Sequence, residues 1–165
     1  KQFRGHYSSR LLNFEVIQKM ARDFLNVYDN LKQGHTVVCH YRLDDIVNIK
    51  GKTVVSSDRI LTVLSELPLT NKIAFYSDSP EIVSERILGK LKQEYGIYDS
   101  PTEGLIVNAV ASNVFVGTVS KVSFWIVFFR VALIKDSVNM MPIESKFHLA
   151  NALGDLSRFK KLTFY

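Results

Sequence analysis

The sequence predicts an α/β domain, a parallel β-sheet with helices packed on its faces. Three observations lead there. Short apolar runs rich in β-branched or aromatic residues recur at 36–41, 72–77 and 113–117. Between them lie segments whose apolar residues repeat every three or four positions, the spacing of a helix that buries one side. Strands that alternate with helices are joined by crossovers, which place them in parallel. Finally, 165 residues that are 47% hydrophobic and 22% charged can bury one core and are too apolar for a disordered chain.

Each element follows from its own residues. Phe14, Ile17, Met20, Phe24, Tyr28 and Leu31 share one face, which predicts a helix over about 14–33, stopped by Gly34. Thr36–Tyr41 reads as a buried strand. Residues 46–55 read as an irregular loop, and Ser57 as the cap of a helix over about 58–66 that turns Ile60, Leu61 and Leu64 to one side. Lys72–Ser77 is the second strand. Ser79 then suits an N-cap and Pro80 a first helical position, opening a helix whose stripe is Val83, Ile87, Leu91 and Tyr95. A loop at 96–103 leads to a short helix over Gly104–Ala111. Asn113–Gly117 is the third strand. Residues 119–134 read as a helix apolar nearly all round, although their Val, Ile and Phe content fits a strand as well. Such a helix must be covered on most sides, either centrally or by a further lobe. The tail, 135–165, stays unassigned. No repeat, low-complexity tract or Pro/Gly/Ser-rich linker divides the chain, so 1–165 reads as a single domain.

Composition removes several classes. One cysteine, Cys39, excludes an internal disulfide framework and a Cys-based zinc cluster. With no signal-peptide pattern after Lys1, it points to a reducing compartment. A start at Lys rather than Met leads one to expect a processed or trimmed chain. The longest apolar stretch, 122–134, contains Arg130 and falls short of the roughly 20 residues a spanning helix needs, so no transmembrane segment is expected. Lys and Arg number 21 against 16 Asp and Glu; the net charge of +5 permits an anionic partner. Yet the basic residues are scattered outside Arg158–Lys161, and no nucleic-acid motif accompanies them. A nucleic-acid partner is therefore not expected; its affinity would fall steeply with salt and depend on Arg158, Lys160 and Lys161.

In open parallel sheets ligands bind beyond the carboxyl ends of the strands. After the first strand stands His40-Tyr41-Arg42-Leu43-Asp44-Asp45, with His40 and Arg42 two apart and so on one side of an extended segment. The arginine can clamp a phosphate, or the stretch is a surface turn with an ion pair worth at most about 1 kcal/mol. After the second strand, Asp78 can accept hydrogen bonds from a ring N–H and an amino group, as guanine presents them, or Asp78 and Ser79 simply cap the next helix. After the third, Gly117, Thr118, Ser120, Lys121 and Ser123 open a helix whose N–H groups favour anions, or Thr118 is an ordinary N-cap. Together the three ends outline a nucleoside-diphosphate site. Gly51-Lys52-Thr53 is no phosphate loop, because position 46 is Ile where that motif needs glycine. The four histidines, His6, His35, His40 and His148, lack metal-ligand spacing, so no metal site is expected.

His40, Arg42 and Asp45 (H-x-R-x-x-D), Phe75–Glu81 (F-Y-S-D-S-P-E) and Val114–Ser123 (V-F-V-G-T-V-S-K-V-S) resemble, in order, three motifs of the GDP-fucose-using α1,6-, α1,2- and protein-O-fucosyltransferase superfamily. The helix before them, Leu12–Leu31, resembles that family's lead-in, and the likeness covers about residues 12–134. The first motif departs at Leu43 and Asp44, where the family is richer in arginine or ends in Gly-Asp. The resemblance implies a Rossmann-like lobe of a two-lobed, GT-B-like glycosyltransferase. It implies that Arg42 binds the β-phosphate and stabilises the departing GDP as the catalytic cation. His40 and Asp78 would contact the guanosine end, Thr118, Ser120 and Ser123 would line the diphosphate, and Asp45 would complete the donor set. Transfer would invert the anomeric centre without a metal or cofactor, towards a glycan or protein hydroxyl. A chain of 165 residues holds one such lobe, so the resemblance implies the donor-binding C-terminal lobe, with the acceptor lobe outside it. The other reading is a non-catalytic α/β interaction module of the same fold.

Overall fold

Alternation within the strands decides how the domain is layered. In the computed structural model, which describes residues 11–43, 55–99 and 101–165, Val38, Ala74, Tyr76, Phe115 and Met141 point to one face of the sheet. Val37, Cys39, Ile73, Phe75 and Val116 point to the other. Both sets are buried, as expected of strands covered on two sides.

The described chain runs α1 (Phe14–Val27), β1 (Val37–His40), α2 (Ser57–Ser65), β2 (Ile73–Tyr76), α3 (Pro80–Ile87), β3 (Tyr95–Tyr98), α4 (Thr102–Ala111), β4 (Val114–Val116), α5 (Lys121–Leu133), β5 (Val138–Met141), α6 (Lys146–Leu153) and β6 (Leu162–Phe164). The strands lie in the order β3-β2-β1-β4-β5-β6, and every neighbouring pair is parallel. This is a Rossmann-like, doubly wound α/β fold. Helices α2 and α3 pack on one face, and α1, α4, α5 and α6 on the other. The chain changes faces on leaving β3, so the strand order reverses between β1 and β4. That gap is the topological switch point.

The three expected strands are present, and so are three that periodicity missed. Tyr95 does not extend the helical stripe: α3 ends at Ile87, where Gly89 takes the left-handed conformation (φ +69°), and Tyr95 opens β3. Within the loop expected over 96–103, residues 96–98 belong to β3 and α4 already begins at Thr102. The unassigned tail supplies β5, α6 and β6. Helix α1 stops at Val27 and is followed by a 3-10 turn over Asp29–Leu31, so the expected continuous helix to residue 33 is broken. Met20 is 44% exposed, because the buried stripe runs through Ile17 and Ala21 against α5. The cap of α2 is Ser56 rather than Ser57; its hydroxyl accepts from the Arg59 N–H. Residues 121–133 are helical, and α5 buries Ser123, Phe124, Ile126, Val127, Phe128, Phe129 and Arg130. It packs against helices α1 and α4 within the apolar cluster on that face of the sheet. Asn108 on α4 fixes the lead-in to β1, donating to the Leu31 carbonyl at 2.9 Å and accepting from the Gln33 N–H at 2.7 Å. Among the described residues no helix is long and apolar enough to cross a membrane.

Candidate functional site

At the carboxyl ends of β1 and β4 the sheet needs residues that turn sharply without clashing. Gly117 is one of them. A Cβ built there would lie 2.5 Å from Met141 Sδ and 2.9 Å from the Phe115 ring, both fully buried, so a larger residue where β4 leaves the sheet would have to push these two core side chains aside. The chain then reaches Ser120, whose extended backbone and side chain cap α5; its Oγ accepts from the Ser123 N–H at 3.0 Å. Thr118 is therefore not the cap. It bridges the two strand ends: its hydroxyl donates to the His40 carbonyl at 3.1 Å and accepts from the Arg42 N–H at 3.3 Å.

His40, the last residue of β1, lies in the switch point. Its Nδ1 is 2.8 Å from Ser123 Oγ and 3.5 Å from Ser120 Oγ, and Ser120 Oγ is 3.2 Å from Ser123 Oγ. The ring is 7% exposed. Burial pulls its pKa down to about 4; the Asp78 carboxylate opposes that shift and the Arg42 guanidinium reinforces it. The histidine is neutral at pH 7.

Asp78 follows β2. One carboxylate oxygen accepts the Leu43 N–H at 2.9 Å, which braces the segment leaving β1, and the other is 3.8 Å from Arg42 Nε. The two charged side chains are each about one-third exposed (31% and 34%), so their ion pair is worth no more than about 1 kcal/mol. Ser79 occupies the N-cap position of α3 without a capping side-chain bond; its N–H donates to Ser77 Oγ instead.

Six of the seven site residues expected from sequence are thus brought together: His40, Arg42, Asp78, Thr118, Ser120 and Ser123. They come from three segments separated by tens of residues. Asp45 lies outside the described residues, as does Gly51-Lys52-Thr53. The cluster combines a guanidinium, a carboxylate, a neutral imidazole and the amino end of a helix, groups able to hold a polyanion beside a ring bearing N–H donors. Among the described residues no group of three or more His, Cys, Asp or Glu side chains could hold a metal ion.

Sequence reasoning missed two contacts that brace these strand ends. Tyr165 follows β6, and its Oη donates to the Gly117 carbonyl at 2.8 Å, so it packs at the end of β4. Arg59 holds it there, donating to the Tyr165 carbonyl at 2.6 Å and to both oxygens of Glu144 at 2.7 and 3.1 Å. Nothing local signals this, because it depends on β6 pairing with β5. Arg86 on α3 donates to Tyr41 Oη at 3.2 Å, which itself donates to the Val55 carbonyl at 3.1 Å. A tyrosine in an apolar strand run, whose hydroxyl must find a partner, was a readable hint of that contact. No protein-family model matches the chain, and no curated protein matches it.

Proposed function

We propose that the switch-point crevice binds a nucleoside diphosphate, and that the chain is the donor-binding lobe of a GDP-fucose-using, GT-B-like glycosyltransferase. The observation that carries this reading is the convergence of Arg42, Asp78 and the Ser120-capped start of α5 around His40, at the sheet edge where doubly wound folds hold their ligands. The donor binds with its diphosphate towards Arg42 and α5 and its base towards Asp78. An acceptor hydroxyl on a glycan or protein attacks the anomeric carbon from the opposite side. The bond from that carbon to the β-phosphate oxygen breaks, and GDP leaves with the electron pair. Arg42 takes up the developing charge, with no metal required, and the hydroxyl proton passes to a base that the acceptor lobe supplies.

Thermal-shift titration with GDP, beside ADP and UDP, tests the reading. GDP alone should stabilise the chain, and Arg42→Ala should weaken binding about 10- to 150-fold, the loss of a charge-assisted phosphate contact. No shift with any nucleotide at millimolar concentration overturns it.

One observation favours a second reading, a non-catalytic interaction module of this fold. His40, Thr118, Ser120 and Ser123 are buried and satisfy one another, so they can simply tie β1 to β4 and α5. Unchanged behaviour of Arg42→Ala, with no nucleotide response, is what that module would show.

A further inference from the structure

A histidine at a ligand site acts as base, donor or acceptor according to which nitrogen carries the proton, and here the surrounding hydroxyls decide it. Ser123 is fully buried, and its hydroxyl has one proton and two lone pairs. The Thr118 N–H points at its Oγ from 3.3 Å, and Ser120 Oγ lies 3.2 Å away. If the Ser120 proton takes the second lone pair, the Ser123 proton is left for His40 Nδ1, 2.8 Å away. Nδ1 then accepts, and every proton in the cluster has an acceptor. The reverse tautomer, with Nδ1–H donating to Ser123, turns the Ser123 proton onto Ser120 Oγ. The Ser120 proton would then have no acceptor among the described residues, since its other contacts are the Ser123 N–H, a donor, and Nδ1, which is already protonated.

The second ring nitrogen faces outward. Nε2 has no hydrogen-bond partner among the described residues, and it is not one of the buried unpartnered atoms there, Tyr76 Oη, Gln93 Oε1 and Ser145 Oγ. The exposed sliver of His40 therefore includes its Nε2 edge, at the carboxyl end of β1.

We propose that Ser123, itself held by Ser120 and the Thr118 N–H, locks His40 as the neutral Nε2–H tautomer, so that the ring enters the crevice as a hydrogen-bond donor and not as a base. Ser123 is a positioning residue, and His40 takes an acceptor oxygen of the ligand, on a phosphate or a base carbonyl. Only this last assignment rests on the nucleotide reading; the tautomer is a property of the chain alone. It follows that the proton of an acceptor hydroxyl does not pass to His40. Charge on the ring is disfavoured too. Its burial outweighs the Asp78 carboxylate, and Arg42 adds to the cost.

Long-range proton–nitrogen NMR of the 15N-labelled full chain reads the tautomer directly, with His40→Gln assigning the signals. From about pH 5.5 to 8, His40 should show a pyrrole-type Nε2 and a pyridine-type Nδ1. Ser123→Ala should collapse that pattern into averaged tautomers, and Ser123→Thr, which keeps the hydroxyl, should restore it. A pyrrole-type Nδ1, or an imidazolium, in the unmutated chain at pH 7 overturns the proposal, whether or not the Ser123 variants fold. Adding GDP or inorganic pyrophosphate should move the Nε2–H signal. A response to pyrophosphate assigns the acceptor to phosphate, and a response to GDP alone assigns it to the base. The Nε2–H pattern with no response to either ligand supports the lock and overturns the nucleotide reading.

Discussion

Replacing Arg130 with Met would remove a buried cation that ties α5 to both neighbouring strand connections. Arg130 is fully buried, and no described carboxylate pairs with it. Its guanidinium donates instead to Asn139 Oδ1 at 2.7 Å, to the carbonyls of Ser112 (2.8 Å), Asn113 (3.1 Å) and Val138 (3.1 Å), and to the Ala109 carbonyl. Several of these acceptors belong to the carboxyl end of α4, whose unpaired carbonyls attract positive charge. Burial lowers its pKa to about 10, so it still carries its proton at pH 7. The methionine chain refills most of the aliphatic volume, so little of the loss is cavity. What is lost is donation to carbonyls that stay buried, at about 1–3 kcal/mol for each one stranded, less the guanidinium desolvation that no longer has to be met. The net loss should be about 3–5 kcal/mol. Urea denaturation followed by far-UV circular dichroism measures it. Arg130→Lys, with its charge but no planar fork, should recover only part. If Arg130→Met stays within about 1 kcal/mol of the parent, the carbonyls are met by water and this arginine does not hold the α4–β4 turn.

Two further outcomes follow from the interior. His40 has a folded pKa of about 4 against an ordinary 6.5, so the unfolded chain takes up its proton first as pH falls. Stability is full above pH 6.5 and drains between there and pH 4, by about 2 kcal/mol at pH 5; paired urea titrations of the parent and His40→Gln at pH 7.5 and pH 5 isolate that difference, and equal slopes in both would refute it. Cys39 is fully buried, which raises its thiol pKa, so a thiol reagent should label it only at the rate of unfolding, and rapid labelling of the folded chain would contradict its position inside β1.

Segments that carry their own signal were legible in the sequence. Val37–His40, Ile73–Tyr76 and Val114–Val116 are fully or mostly buried central strands, and their apolar runs announce them. Once the strands are located, their carboxyl ends are too, and those ends carry His40, Arg42, Asp78, Thr118, Ser120 and Ser123. The outer strands carried no such signal. Tyr95–Tyr98 is half-buried and interrupted by Gly96, and Val138–Met141 and Leu162–Phe164 are short and mixed. They are strands because a formed neighbour offers them a ladder, and that partner is distant in sequence.

The sequence by itself determined the class of the fold and the chemical alphabet at its strand ends, because burial patterns and residue types are local. Only the tertiary structure decided the order β3-β2-β1-β4-β5-β6, since a strand's place in a sheet depends on which pairings bury the most surface across the whole chain. It alone turned Thr118 from a helix cap into a bridge between β1 and β4. It alone brought Tyr165 to Gly117. It also set His40 against Ser123, 83 residues away, and the proton of a buried imidazole is placed by its neighbours in space rather than in sequence.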